Sequence, residues 1–258
     1  MKPEPFMNER SRIEIKTPRE IEKMREAGKL LREVFRVLEA NVRPGITTGE
    51  LDQIAYKLIR DAGALPAFLG YHGYPATLCT SVNEEIVHGI PGKRILKEGD
   101  IIAIDCGLIL GGFYADSAYT FPVGSVSEIA HRLIEVTRNA LEAGIREMRP
   151  DNRLGTLSAA IQKVVEDAGF SVVREYTGHG IGRAMHEPPQ ILNFGVAGTG
   201  LRLRPGMVFA IEPMVNVGTW KTRVLDDDWT VVTADGSLSA HFEHTIAVTD
   251  EGPLVLTA

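Results

Sequence analysis

Hydrophobic residues along this chain fall into helical stripes followed by strand-like runs, and the succession happens twice. Thr17-Pro18-Arg19-Glu20 has the layout of a helix start, with Thr as N-cap, Pro in the first helical position and Glu three residues after the cap. Behind it Ile21, Met24, Gly28, Leu31, Phe35 and Leu38 follow a helical stripe, and Arg43-Pro44-Gly45 stops it. Thr47 and Glu50 form a second capping box, and Leu51, Ile54, Ala55, Leu58 and Ile59 line the next helix up to Asp61-Ala62-Gly63. Strands are expected at 76–82 and 100–110, with Gly111-Gly112 turning the chain into a third at 113–121. The pattern restarts at Ser125, read with Glu128 as a capping box, and Ile129, Leu133, Val136 and Ala140 carry a helix to Arg149-Pro150. Leu157, Ile161, Val164 and Val165 line one more helix, ending at Asp167-Ala168-Gly169. Strands are expected after it at about 172–176, 207–217, 229–233 and 240–248.

The two halves can be laid over each other. Arg43-Pro44 corresponds to Arg149-Pro150, Gly49 to Gly155 and Asp61-Ala62-Gly63 to Asp167-Ala168-Gly169, all 106 residues apart. His72-Gly73 corresponds to His179-Gly180, and Asp105 to Glu212, at 107. Two copies are too few for a solenoid. The expectation is an α/β (α+β) domain with an internal pseudo-two-fold, each half two helices followed by antiparallel strands. Residues 1–16 are polar and aperiodic and are expected to add little to the core, leaving 17–258 as a single domain.

The repeat gives meaning to the acids. Asp105 and Glu212 each close an apolar strand that follows a glycine turn, a costly place for a carboxylate unless it is paired, hydrogen-bonded or metal-bound. Asp116 lies across the Gly111-Gly112 hairpin from Asp105, and Glu243 follows Glu212 across a loop containing Asp226-Asp227-Asp228. Symmetry brings all four to one place, where their repulsion calls for cations; four negative charges suit two divalent ions with bridging carboxylates. His179, in Thr177-Gly178-His179-Gly180-Ile181-Gly182, is the nitrogen candidate, and oxygen ligands plus one imidazole point to Mn, Fe, Co or Zn. Each residue alone has a plainer reading: Asp116 as a turn cap, Glu212 as a strand end, His179 as a loop histidine.

Other histidines divide by context. His88 and His186 sit near Pro/Gly loops, where they either position a substrate carbonyl and move protons or simply fix the loops. His241 shares the face of Glu243 by strand alternation, His244 points away and is structural, His131 faces solvent, and His72 is not expected to be a ligand. Phe68, Tyr71, Tyr74, Cys79 and Trp229 are candidates for an apolar pocket lining, while Cys106 alternates away from Asp105.

Composition narrows the class. A net charge of -6 disfavours direct nucleic-acid readout. Two cysteines with no zinc spacing suit a reducing compartment, and acids interrupt the apolar runs short of a membrane span. Cytoplasm is the expected location.

Further motifs join these residues: Tyr71-His72-Gly73-Tyr74-Pro75, Asn83-Glu84 leading to His88-Gly89-Ile90-Pro91, Asp105 with Asp116, Gly178-His179-Gly180-Ile181-Gly182 with His186-Glu187, Ile211-Glu212-Pro213-Met214, and Glu243-His244-Thr245-Ile246. Together they resemble type I methionine aminopeptidases. The match runs from about Thr17 to the C-terminus. The resemblance implies the pita-bread fold and two divalent metal ions (Co, Mn, Fe or Zn) held by Asp105, Asp116, His179, Glu212 and Glu243, with Asp116 and Glu243 bridging. It implies Glu212 as proton acceptor, His88 at the leaving amine, and His186 at the carbonyl oxygen. Tyr71, Tyr74, Cys79 and Trp229 match positions around a methionine pocket.

Ser117-Ala118 and Met185 depart from the family pattern, which has a Thr/Ser pair and an aromatic there, and Phe68 sits at a variable pocket edge. The short spacing from His179 to Glu212 and the lack of a Cys/His extension match a bacterial-like form. The implied function is removal of initiator methionine from nascent polypeptides when the second residue is small, by a monomer in transient contact with the ribosome. An Xaa-Pro aminopeptidase or prolidase relative, or an inactive pita-bread binding protein, are the alternatives. The first usually carries an added N-terminal domain, which residues 1–16 do not supply, and the second loses ligands that are all present here.

Overall fold

The computed structural model describes residues 13–258. In chain order the first half runs through helices α1 (Pro18–Asn41) and α2 (Thr48–Asp61) and strands β1 (Leu65–Pro66), β2 (Leu78–Val82), β3 (Glu85–Val87), β4 (Ile101–Leu110) and β5 (Phe113–Pro122). The second half has α3 (Glu128–Arg146), α4 (Leu154–Asp167), β6 (Ser171–Val172), β7 (Gly178–Gly180), β8 (Glu187–Ile191), β9 (Val208–Ile211) and β10 (Met214–Asn216). It finishes with β11 (Thr222–Val224), β12 (Val231–Thr233), β13 (Ser239–His241), β14 (His244–Thr249) and β15 (Gly252–Val255). Among the described residues no helix is long and apolar enough to cross a membrane.

The first two helices start as their sequences dictate. Thr17 and Glu20 close a capping box on α1, and Thr47 and Glu50 close one on α2. Leu31, Phe35, Leu38, Leu51 and Ile59 then bury against Leu78, Val82, Ile102, Ile104 and Cys106. Because successive strand residues face opposite ways, this leaves Asp105 and Gly107 on the face of β4 away from the helices. In the second half Leu133, Leu141, Leu157, Ile161 and Val165 cover Phe209, Ile211, Val215 and Ile246 in the same way.

The repeat is visible in backbone detail. Thr47 bridges Ile95 and Arg153 bridges Arg202, so each second helix begins against an equivalent loop. Gly49 donates its N–H to the Gly92 carbonyl at 2.9 Å and Gly155 to Thr199 at 3.0 Å. The halves join where β5 runs against residues 241–245. Ala118 and Glu243 exchange backbone hydrogen bonds. Ser117 Oγ donates to the Glu243 carbonyl at 2.7 Å and Thr120 Oγ1 to that of His241 at 2.8 Å. Thr245 Oγ1 accepts from Asp116 N and donates to the Asp116 carbonyl.

Several expectations need correction. The cap of α3 is Ser127, whose side chain accepts from Ala130 N, not Ser125; the wrong serine of Ser125-Val126-Ser127 shifts the stripe, so Ile129 is exposed and Ala130, Ile134 and Leu141 are buried. The helix ends at Arg146. The 207–217 run breaks at Glu212-Pro213, where Pro has no N–H to pair, and the 240–248 run breaks at Phe242-Glu243. The 172–176 strand covers only Ser171–Val172. Residues 1–12 of the expected extension lie outside the described residues, but 13–16 are not idle: Ile13 packs on the second-half core, and the Lys16 side chain is 1% exposed.

Gly28, in α1, allows the C-terminal segment to cross the helix, since a Cβ there would lie 2.0 Å from the Leu256 carbonyl oxygen. Gly28→Ala should therefore lower the free energy of unfolding by about 1–3 kcal/mol despite its better helix propensity. Gly92→Ala, with open space around it, should stay within about 0.5 kcal/mol. Urea unfolding of both variants checks this.

Candidate metal centre

Asp105 and Asp116 meet because of the β4–β5 register. Asp105 lies opposite Ala118 and Asp116 opposite Gly107, so the two acids are diagonal neighbours on one face. Gly107 makes the space: a Cβ there would stand 3.3 Å from Asp116 Oδ1 and 2.8 Å from the Phe68 ring. In the second half His244 pairs with Ile211, so that Glu243 and Glu212 lie immediately beyond the paired residues at the same end of β14 and β9. The Ala118–Glu243 bridge then sets the two pairs against each other.

His179 enters from β7, where it pairs with Ala210. Its glycine neighbours permit the approach, since a Cβ on Gly178 would lie 2.4 Å from the Ala210 oxygen and one on Gly180 2.3 Å from the Pro188 oxygen. His179 Nδ1 is 2.9 Å from its neighbour's carbonyl, Gly180 O, leaving Nε2 at 3.7 Å from Glu212 Oε1 and 3.9 Å from Asp116 Oδ2.

Asp116 and Glu243 are buried, while Asp105 and Glu212 border the cleft. Burial, with added repulsion from Asp116, raises Asp105, Glu212 and Glu243 well above the usual carboxylate range. Burial also pushes Asp116 up to about 7, and holds His179 and His241 neutral with pKa values near about 3. Asp105 Oδ1 and Glu243 Oε1 are buried with no hydrogen-bond donor among the described residues. Asp116, His179 and Glu243 each place a ligand atom within 4.8 Å of the others. Orphaned carboxylate oxygens beside a neutral imidazole are the donor set a divalent cation satisfies, so these residues fit a metal.

A cleft with about 530 Å³ of empty space opens over this cluster. Its lining brings together every metal-ligand, catalytic and pocket candidate named from the sequence, namely Phe68, Tyr71, Tyr74, Cys79, His88, Asp105, Asp116, His179, His186, Glu212, Trp229 and Glu243, and adds Met185. Tyr74 spends its hydroxyl on the Leu78 and Gly89 carbonyls and offers the cleft its ring, which packs edge-on to Trp229 at 5.0 Å. Cys79 pairs with Asp105 across β2 and β4. His186 Nδ1 lies 2.7 Å from Tyr71 Oη. His88 sits in the left-handed region at φ 62, with a buried Nδ1 that has no hydrogen-bond partner among the described residues and a pKa lowered to about 4 by burial.

The remaining histidines separate as their strand positions suggest. His241 Nε2 faces Glu212 at 3.8 Å and Glu243 at 4.0 Å, whereas His244 Nδ1 bonds Thr257 Oγ1 away from the cleft. His131 is exposed and His72 lies in a short 3-10 turn outside the cleft lining. Two supports were missed. Asn193 donates to the Glu212 carbonyl at 3.0 Å, and Tyr176 packs its ring 5.7 Å from His88. Only the second had a signal, an aromatic two residues before the Gly178-His179-Gly180 run.

The model of metallopeptidase family M24 matches residues 22–250. The chain belongs to metallopeptidase family M24. Methionine aminopeptidase 1 of Bacillus subtilis (strain 168) is 54% identical over 242 residues, covering 94% of this chain and 98% of the relative. The crystal structure of methionine aminopeptidase from Rickettsia prowazekii superposes with a TM-score of 0.95 at 46% identity, covering 96% of this chain and 100% of that one. These relatives place this M24 chain among the methionine aminopeptidases, with their pita-bread fold and metal-dependent hydrolysis. The Xaa-Pro dipeptidase from Bacillus anthracis shares the fold, at a TM-score of 0.75 and 22% identity; the match covers 94% of this chain and 61% of the dipeptidase.

Protons and metal compete for the same oxygens. Between pH 3.8 and about 7 the folded metal-free protein holds a proton on Asp116 that the unfolded chain has released. That alone makes stability fall as pH rises, but His88, His179 and His241, kept neutral by burial, work the other way until the unfolded imidazoles lose their protons near 6.5. Melting temperatures of chelator-treated protein should therefore drop as pH rises through about 7, while protein loaded with Mn(II) should not follow that decline.

Proposed function

We propose that this M24 enzyme removes an N-terminal methionine from peptides whose second residue is small, using two divalent ions of the Mn, Fe, Co or Zn type. The observation that carries the reading is the placement of four carboxylates and His179 at the inner end of an apolar cleft. An unbranched thioether side chain suits a slot walled by Phe68, Tyr74, Cys79 and Trp229. Asp105, Asp116, His179, Glu212 and Glu243 would hold the ions, with Asp116 and Glu243 between them. Bound there, the ions supply a water acidified to near-neutral pH and Lewis-acid polarisation of the peptide carbonyl.

The chain's own residues complete the step. Glu212, at the cleft border, accepts the proton of the attacking water at its carboxylate and returns it to the departing amine. Tyr71 Oη lies 2.7 Å from His186 Nδ1, and with the hydroxyl as donor in that contact the imidazole carries its proton on Nε2, as donor to the carbonyl oxygen. His88, neutral by burial, orients the amine of the second residue.

The reading extends to context. A monomer acting as one catalytic unit over 17–258 is part of the same proposal. Initiator methionine is met on nascent chains, so cytoplasm and a transient ribosome contact belong to the same proposal.

Protein loaded with Mn(II), Fe(II) or Co(II) should release methionine from Met-Ala and Met-Gly peptides and leave Xaa-Pro peptides intact. No release with any of these ions overturns the enzyme reading, and preference for Xaa-Pro overturns the specificity. His186→Ala should lower kcat by about 10²–10³-fold, as loss of a transition-state donor does, with Mn(II) affinity kept.

A further inference from the structure

We infer that Lys16 is a positioning residue: through Glu187 it holds the turn that sets His186 at the cleft, and so governs turnover without touching substrate. For its kinetic effect this rests on the function proposed above. Lys16 is the buried charge that the chemistry leaves unused. Its side chain is 1% exposed, with Nζ 2.5 Å from Glu187 Oε2 and 3.2 Å from Glu14 Oε2. The other oxygen of Glu187, Oε1, accepts the backbone N–H of Arg183 at 2.7 Å and of Ala184 at 3.2 Å. One carboxylate thus ties the lysine to the turn that ends in Met185 and His186.

The turn also packs on the lysine stem, because a Cβ on Gly182 would lie 2.2 Å from Lys16 Cε. The lysine is itself anchored from the far side: its backbone N–H donates to the Gly206 carbonyl at 2.7 Å. Arg183 does not substitute for it, since its guanidinium is engaged with Glu20 at 2.8 Å and Glu14 at 3.6 Å. Removing one partner of a buried ion pair leaves the other uncompensated. Glu187 without Lys16 would turn toward water and drag the Arg183 and Ala184 amides with it. His186, the residue immediately before Glu187, would then lose its register with Tyr71 Oη.

The test is a double-mutant cycle of Lys16→Met and Glu187→Gln in the full chain, read by Met-Gly peptide kinetics, Mn(II) calorimetry and the ring ¹⁵N resonances of His186. We expect Lys16→Met to lower kcat by up to about 100-fold, the scale of a 1 Å misplacement remote from the chemistry. KM and Mn(II) affinity should stay near wild type, and the His186 resonances should shift. Glu187→Gln should act alike, and the double variant should be no worse than the single ones. Unchanged kcat, additive losses, or His186 resonances like those of wild type would overturn the inference. If Lys16→Met does not fold, Gly182→Ala, which drives a Cβ into the lysine stem, takes its place in the cycle. Should the wild-type protein release no methionine, the functional reading fails, and the His186 resonances still decide the role of Lys16.

Discussion

Four carboxylates brought to one point inside a sheet cannot all keep their charge without a cation, and the architecture is built around that constraint. Each half of the repeat delivers two of them, and neither half alone assembles the group. The join between halves is accordingly stitched by side-chain hydroxyls as well as by backbone. Ser117, Thr120 and Thr245 turn their hydroxyls to the backbone across it, so that Asp116 and Glu243 are fixed by hydrogen bonds that do not involve their own carboxylates. Apart from Asp116 Oδ1, which accepts from Ser117 N at 3.1 Å, the carboxylate oxygens of this pair stay available for metal because other groups carry the structural work.

The symmetry ends where the chemistry needs it to. His72 and His179 are repeat partners, yet His72 lies in a 3-10 turn at φ 49 while His179 is held in a strand flanked by glycines whose Cβ atoms would strike backbone. The first half, freed from supplying a ligand there, uses the equivalent segment for Phe68, Tyr71 and Tyr74, which wall the apolar cleft. The second half contributes His179 and His186, with rings 4.3 Å apart. Under the proposed function, the first copy supplies most of the wall for the methionine side chain, and the second supplies the histidine for its carbonyl. A duplicated fold thus yields a cleft with two chemically different ends.

Much of this was readable in the residues because it rests on local rules. Capping boxes at Thr17 and Thr47, the Gly111-Gly112 hairpin and the offset of 106–107 residues need no tertiary knowledge, and the convergence of the acids follows from them. What escaped depended on partners distant in sequence. Ser125 and Ser127 offer the same hydroxyl, and only the fold decides which one caps, Ser125 N being drawn instead to Glu98 Oε1 at 2.6 Å. Gly178–Gly180 and Glu187–Ile191 have little intrinsic strand preference, with glycines in one and prolines in the other, and become strands because β9 gives β7 an edge to pair with. Lys16 looked like part of a polar tail because the carboxylate that buries it is 171 residues away.

The same geometry bears on which ions the site takes. Soft thiolate ligands would favour the later, thiophilic metals, and the chain has two cysteines within a few ångströms' reach of the acids in register, Cys79 opposite Asp105 and Cys106 next to it. Neither competes. Cys106 points into the helix-side core, and burial together with the Asp105 charge raises both thiols, so they stay protonated at neutral pH. Burial and the neighbouring acid therefore keep the nearest thiol protonated in the metal-free protein. What remains is an oxygen-rich set with one imidazole, whose discrimination among divalent ions rests on coordination geometry and on the ions the cell provides, not on sulfur.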